Sequence, residues 1–208
     1  MTARTAGARH GDPPTQRARE DAADLKRSLR DPDQFGVIFD RYFTEIHGYI
    51  ARRLGDDAAD DIAAETFLTA FSKRGRFDAG LGIVRGWLYG IATRQMSRYR
   101  RREVRAYRLT ERAAAPAPDA GHADLVVDRV AAGAMYRQIA GALAELSRGD
   151  REVLLLIALA GLTHAEVATA VGIPYGTVGS RLNRARRKLR GGLAGTAPLT
   201  QQEDQDHG

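Results

Sequence analysis

The chain has 208 residues, with 32 Lys+Arg against 26 Asp+Glu, a formal net charge of +6 and no cysteine. That length allows one domain or two small ones, and the missing cysteine excludes a disulfide scaffold, a thiol nucleophile and any zinc site built on thiolates. The most apolar uncharged stretch, 153–163, is about half a membrane span, and the first twenty residues carry arginine without an apolar run, so neither membrane insertion nor a secretory signal is expected.

Residues 1–24 are polar and broken by Pro and Gly, and are expected to form a disordered extension. After Asp31-Pro32 a helical period begins: Phe35, Ile38, Phe39, Tyr42, Phe43, Ile46, Tyr49, Ile50 and Leu54 recur at three and four, one broad apolar stripe. Gly55 ends it. Asp56 and Asp57 suit the start of the next helix, where carboxylates meet the positive dipole end; this helix turns Ile62, Ala63, Phe67, Ala70 and Phe71 inward. Residues 73–80 (KRGRFDAG) are a glycine-bearing loop with three cations and an aromatic. A third helix carries Val84, Trp87, Leu88, Ile91 and Met96 on one side and runs into an arginine block. Residues 110–124 hold alanine, two prolines and a glycine but no large apolar residue, which predicts a flexible linker between domains spanning 25–109 and 125–192, with 193–208 as a disordered tail. Beyond the linker Val126, Val130, Ile139, Leu143 and Leu146 restart the helical period, and Ser147 with Asp150 predicts a cap for a helix over 151–160 that Gly161 stops. No stretch alternates with period two, so the fold class is all-α.

The charge is divided along this plan. Residues 56–65 hold five acids and no base, 94–108 hold seven Arg and one Glu, and 181–190 hold six bases and no acid. Charge runs are often no more than solvated helix faces, but two cationic blocks, each closing an apolar-periodic helix, point to two nucleic-acid contacts and a separate protein contact.

The sharpest local signal is 163–190, THAEVATAVGIPYGTVGSRLNRARRKLR. Thr163-x-x-Glu166 is a capping box, Gly172 suits a left-handed C-cap, and Pro174 stands where a following helix starts, its missing N–H without cost. Val167, Ala168, Val171, Ile173, Val178 and Leu182 form the inner faces. This spacing predicts a helix-turn-helix, whose second helix enters the major groove, rather than an ordinary helical hairpin with a basic surface. With Val178 and Leu182 inward, Tyr175, Gly176, Gly179, Ser180, Asn183 and Arg184 fall on the open face. Ser, Asn and Arg there suit base edges, whereas Arg186, Arg187, Lys188 and Arg190 suit phosphate. Arg184→Ala is accordingly expected to lose discrimination, and Arg187→Ala to weaken binding to all sequences alike.

Residues 172–190 resemble region 4 of extracytoplasmic-function (ECF) sigma factors, the promoter-specificity subunits of bacterial RNA polymerase. The first half agrees: 39–71 (FDRYFTEIHGYIARRLGDDAADDIAAETFLTAF) resembles their region 2 core-binding helices, and 85–102 (RGWLYGIATRQMSRYRRR) resembles the helix that opens the −10 element. The resemblance covers roughly residues 30–192. It implies that Asp57, Asp60, Asp61 and Glu65, with Phe67 beneath, dock on core RNA polymerase. It implies that the loop 74–82 and the start of the third helix (Arg76, Phe77, Arg85, Trp87) capture an extruded base of the −10 element, while Arg94, Arg98, Arg100 and Arg101 line the upstream duplex and make binding salt-dependent. Trp87 sits on the apolar stripe, and the core is the commoner place for such a residue. For the −35 element the implied contacts are Tyr175, Gly176, Thr177, Gly179, Ser180, Arg181, Asn183, Arg184 and Arg187.

The sequence departs from the family pattern at four places. Arg94 stands where Asn is usual, and offers only donors; Gly179 stands where Lys or Arg is usual, Ala64 where Gln is common, and Ser147 where Pro often opens the helix. The implied protein is no enzyme, needs no cofactor, metal or small-molecule substrate, works in the cytoplasm on promoter DNA with core polymerase, and in this family is often held inactive by an anti-sigma factor. Two other readings are weaker. A stand-alone helix-turn-helix repressor or activator leaves the acidic block and the second arginine block without a role, and a nucleic-acid enzyme needs clustered acids or a His/acid pair, whereas the five His are scattered.

Overall fold

In the computed structural model the described residues are 15–80, 82–113 and 132–194, with side chains described for 15–80, 82–107 and 137–193. They form eight α-helices joined by turns, with no strand among them. The first group is α1 (Gln16–Arg27), α2 (Phe35–Leu54), α3 (Asp56–Lys73) and α4 (Val84–Ala113), and the second is α5 (Ala132–Ala144), α6 (Arg148–Ala160), α7 (His164–Val171) and α8 (Tyr175–Ala194).

The apolar stripe of α2 does what its period predicts. Phe35, Ile38, Tyr42, Ile46, Tyr49 and Ile50 are buried, spaced by one helical turn, while Phe39 and Phe43 ride on the flank. Gly55 turns the chain at φ 87° and its N–H bonds Ala51 O at 2.8 Å. Only a residue without Cβ takes that conformation freely, so one glycine both ends α2 and lets α3 start in antiparallel contact. Leu88, Tyr89, Ala92 and Met96 of α4 close the first core. In the second group Val153, Leu156, Val167, Val178, Leu182 and Ala185 are buried, so the helical phase assigned to 178 and 182 holds.

Three boundaries differ from expectation, the smallest being α6, which starts at Arg148 directly after its Ser147 cap and not at 151. Helix α1 occupies residues 16–27, inside the stretch expected to be disordered to residue 24. Its order comes from partners remote in sequence: Asp21 and Asp24 are buried and accept hydrogen bonds from Arg41, Asp21 also accepts from Tyr42, and Leu25 inserts into the core. Thr15 caps it by accepting from Ala18 N–H. Apart from that cap, local composition carries none of this. Helix α4 likewise continues through residues 110–113 to Ala113, while 114–124 of the expected linker, 125–131 of the second domain and 195–208 of the tail lie outside the described residues.

The two groups pack on each other. Val167 and Ala170 of α7 belong to the same buried cluster as Leu88 and Ala92 of α4. Among the described residues no helix is long and apolar enough to cross a membrane.

Candidate nucleic-acid interface

The helix-turn-helix is assembled by the signals read in its sequence. Ser147 Oγ accepts from Asp150 N–H and opens α6, and Gly161 closes it in the left-handed region at φ 61°. Thr163 Oγ1 accepts from Glu166 N–H while the Glu166 carboxylate accepts from Thr163 N–H at 2.8 Å, a complete capping box. Gly172 ends α7 at φ 69°, and α8 starts directly after Pro174. The buried ladder Val178–Leu182–Ala185 fixes the rotation of α8.

That rotation leaves Gly176, Ser180, Asn183, Arg186, Arg187 and Arg190 exposed along one side of α8. A Cβ at Gly176 or Gly179 would meet nothing within 4 Å, so the backbone there is bare to a partner. Ser180 Oγ donates to Thr177 O at 3.0 Å, which leaves its lone pairs facing outward. Tyr175 is half-buried, its ring edge-on to His164 at 6.0 Å, and Thr177 is half-buried, its N–H bonded to Pro174 O.

Two of the expected base readers have partners within the protein. Arg184 Nε bonds Asp150 Oδ2 at 2.9 Å; the Asp150 side chain is 5% exposed and that of Arg184 48%. Arg181 is half-buried, its guanidinium lying against the backbone of Gly149. Both clamp α8 onto the start of α6. Helical spacing placed Arg184 next to Asn183 on the open side, but a carboxylate near the α6 N-terminus pulls the long side chain around.

In the first group the acids Asp57, Asp60, Asp61 and Glu65 are all exposed on α3, with Phe67 buried beneath them. The Asp60 carboxylate accepts a hydrogen bond from His47 Nε2–H at 2.8 Å. Beside them lies an apolar edge that sequence reasoning missed. Phe39 packs on Phe43 and Phe67 with centroids 4.8 and 5.0 Å apart, and Leu68 is 69% exposed. Phe39 and Phe43 lie on the broad apolar stripe read in the sequence, and the stripe is wider than α3 and α4 cover. An acidic rim around exposed aromatic and leucine side chains suits a protein partner better than a phosphate backbone.

The loop 74–80 and the start of α4 form the third face. Phe77 and Trp87 are half-buried with centroids 5.3 Å apart, so Trp87 lies at the edge of the core under the loop and not wholly inside it. Arg76, Arg98 and Arg101 are exposed. Partial burial and then the like charge of Arg98 lower the guanidinium pKa of Arg94. Arg74 is spent on structure, its guanidinium 3.7 Å over the Phe71 ring and bonded to Ser28 O. Arg100 donates to Arg53 O at 2.9 Å.

Arg85 has the most partners of these arginines. It donates to Glu45, to Glu166 of α7 and to Ala160 O at the end of α6. Burial alone would lower its pKa, but hydrogen bonds and charges from Glu45 and Glu166 outweigh this and hold it above the ordinary arginine value. In this structure it bridges the two groups, tying Glu45 of α2 to Glu166 and Ala160. Among the described residues no three His, Cys, Asp or Glu side chains gather as a metal site.

The sigma-70 region 2 family matches residues 38–106, and the sigma-70 region 4 family matches 136–189. The ECF RNA polymerase sigma factor SigC of Mycobacterium tuberculosis is 38% identical over 135 residues, 64% of this chain and 68% of that protein. The RNA polymerase sigma factor CarQ of Myxococcus xanthus is 31% identical over 165 residues, 76% of this chain and 88% of that protein. The sigma factor RpoE of Bartonella quintana, solved in complex with the anti-sigma factor NepR, shares the fold with a TM-score of 0.51 and 22% identity, over 79% of this chain and 99% of that one. With both sigma-70 regions in order on one chain, and curated relatives matched over most of their length, this protein belongs to the ECF sigma factors of bacterial RNA polymerase.

Proposed function

We propose that the three faces divide the work of promoter recognition. As a sigma factor the chain directs RNA polymerase to the promoters of a regulon. The acidic and aromatic face of α3 and α2 (Asp57, Asp60, Asp61, Glu65, with Phe39, Phe43 and Leu68) holds core polymerase, which suits a surface that repels phosphate. The loop 74–82 and the Phe77–Trp87 floor take an unstacked base of the −10 element, and Arg76, Arg94, Arg98 and Arg101 neutralise nearby phosphates. The open side of α8 reads the −35 element through Asn183 and Ser180, with Arg186, Arg187 and Arg190 on the backbone. Here Arg181 and Arg184 hold the recognition helix in place and do not read bases.

The protein acts by binding and carries no catalytic step of its own. It works with the nucleoid, and it is restrained by an anti-sigma protein as RpoE is bound by NepR. The observation that carries this proposal is the pairing, in one chain, of an acidic apolar face with a separate helix-turn-helix. A stand-alone repressor has no use for the first.

Run-off transcription tests it. Core polymerase and this protein are incubated with sheared genomic DNA of the source, and transcript 5′ ends are mapped. Discrete start sites sharing two upstream elements are expected. Transcripts independent of the added protein, or no association with core polymerase, refute the assignment.

A further inference from the structure

We infer that the C-terminal end of α1 and the start of the 74–80 loop form one basic patch that binds single-stranded DNA, the non-template strand just downstream of the −10 element. This rests on the promoter reading above. Neither matched sigma-70 region reaches α1, since the first begins at residue 38.

Two short segments make the patch. Residues 26–30 read KRSLR and residues 73–77 read KRGRF, each with three cations and no acid. One arginine of each is taken up by structure. Arg27 pairs with Asp24. Arg74 donates to Phe71 O and, across 46 residues of chain, to Ser28 O at 3.2 Å, while its guanidinium lies over the Phe71 ring. Arg74 thereby fastens the second segment to the first, and a Cβ on Gly75 would stand 3.6 Å from the Leu29 side chain.

The other four cations, Lys26, Arg30, Lys73 and Arg76, are exposed, and no carboxylate among the described residues pairs with any of them. Asp31 and Asp78, which follow the two segments, accept hydrogen bonds within their own turns, from Gln34 at 3.1 Å and from Gly80 N–H at 2.8 Å. Between the cations Leu29 is 50% exposed. Like charges gathered around an apolar side chain repel one another and gain from a polyanion that also has apolar faces. A single DNA strand is such a ligand, with phosphates for the cations and an unstacked base for the leucine.

Position selects the strand. The first residues of the loop rest on α1 through Arg74 and Leu29, whereas Phe77 rests on Trp87 of α4. From Trp87 the arginines at 94, 98 and 101 run on toward the C-terminal end of α4, where the promoter reading puts the upstream duplex. The patch lies at the opposite end of the loop. A strand that leaves the base pocket on that side therefore runs downstream, and its phosphates meet the four cations.

The test uses holoenzyme and a promoter mapped by run-off. A short fork carries upstream duplex and a single non-template strand that ends with the −10 element; a long fork adds about six further nucleotides. Wild-type holoenzyme should bind the long fork more tightly. Lys26→Ala with Arg30→Ala should leave short-fork affinity unchanged and weaken the long fork about tenfold at about 0.2 M salt, because two single-strand phosphate contacts give a slope of about −1.4 in log K against log salt. The long-fork slope should become shallower by that amount. Lys26→Arg with Arg30→Lys keeps both charges and should bind like wild type, and scrambling the added nucleotides should change little, since phosphates carry no sequence. Unchanged long-fork affinity in the alanine variant overturns the inference, and so does an equal loss on both forks. Weaker assembly with core polymerase, with fork affinities unaltered once assembled, assigns the patch to an acidic protein surface and also overturns it. If wild-type holoenzyme prefers neither fork to one with a scrambled −10 element, the promoter reading itself fails. If it prefers the short fork and gains nothing from the longer strand, the patch alone fails.

Discussion

Arg184 separates what helical spacing expects from what packing permits. Replacing it by alanine removes the Nε–Oδ2 contact of 2.9 Å to Asp150. Stripping the partner from a fully buried charge costs about 3–5 kcal/mol, and from an exposed pair about 0–1 kcal/mol. Here the carboxylate is 5% exposed but the guanidinium 48%, so water replaces part of what is lost. Asp150 also sits in the first turn of α6, where the helix dipole retains about 0.3–1 kcal/mol of support for its charge. The expected cost of Arg184→Ala is therefore about 1–2 kcal/mol. Urea unfolding followed by circular dichroism measures it, and a double-mutant cycle with Asp150→Asn should return a coupling of about 1 kcal/mol. Binding to cognate and scrambled −35 duplexes, at a salt concentration held constant, should fall by similar factors. A stability change below about 0.3 kcal/mol together with selective loss on the cognate duplex would mean that Arg184 reads bases and that its pairing with Asp150 is incidental.

Other expected outcomes rest on single features. Arg187→Ala should weaken binding to every −35 sequence alike and reduce the slope of log K against log salt by about 1, read from a titration over several salt concentrations. Thr163→Ala, which removes half of the capping box, should lower stability by about 1 kcal/mol in urea. Leu68→Asp changes a residue 69% exposed, so it should leave unfolding unaltered while abolishing co-elution with core polymerase; co-elution at the wild-type level would remove the α2–α3 edge from the polymerase contact. Burial and then the hydrogen bond to Asp21 raise the phenol of Tyr42 above its ordinary value near 10. A raised folded pKa contributes stability that is complete below the unfolded value and lost as pH climbs beyond it. Unfolding free energy should thus be flat on this account below pH about 10 and decline above it, and Tyr42→Phe should flatten that decline.

Much of the molecule is legible in its sequence because the forces concerned are local. Caps act within three residues, so Thr163–Glu166 and Ser147–Asp150 announced α7 and α6. A glycine at a helix end reports the backbone it must adopt, as at Gly55, Gly161 and Gly172. The apolar period of residues 35–54 and the placement of Val178 and Leu182 follow from 3.6 residues per turn. With these came the helix-turn-helix, the acidic face of α3 and the family resemblance.

What the tertiary structure decided concerns partners far apart in the chain. Helix α1 is ordered by Arg41 and Tyr42, whose interest in Asp21 and Asp24 has no signature in residues 1–24. Charge composition marks Arg85 and Arg184 as cations for DNA, but long side chains go to the nearest buried carboxylate, and only folding puts Glu166 beside one and Asp150 beside the other. Gly86 and Gly90 look like unremarkable gaps in a helix until α7 is laid across them. Sequence period determines which side of a helix is apolar; only the assembled fold decides how much of that side is covered, and which charges are already taken.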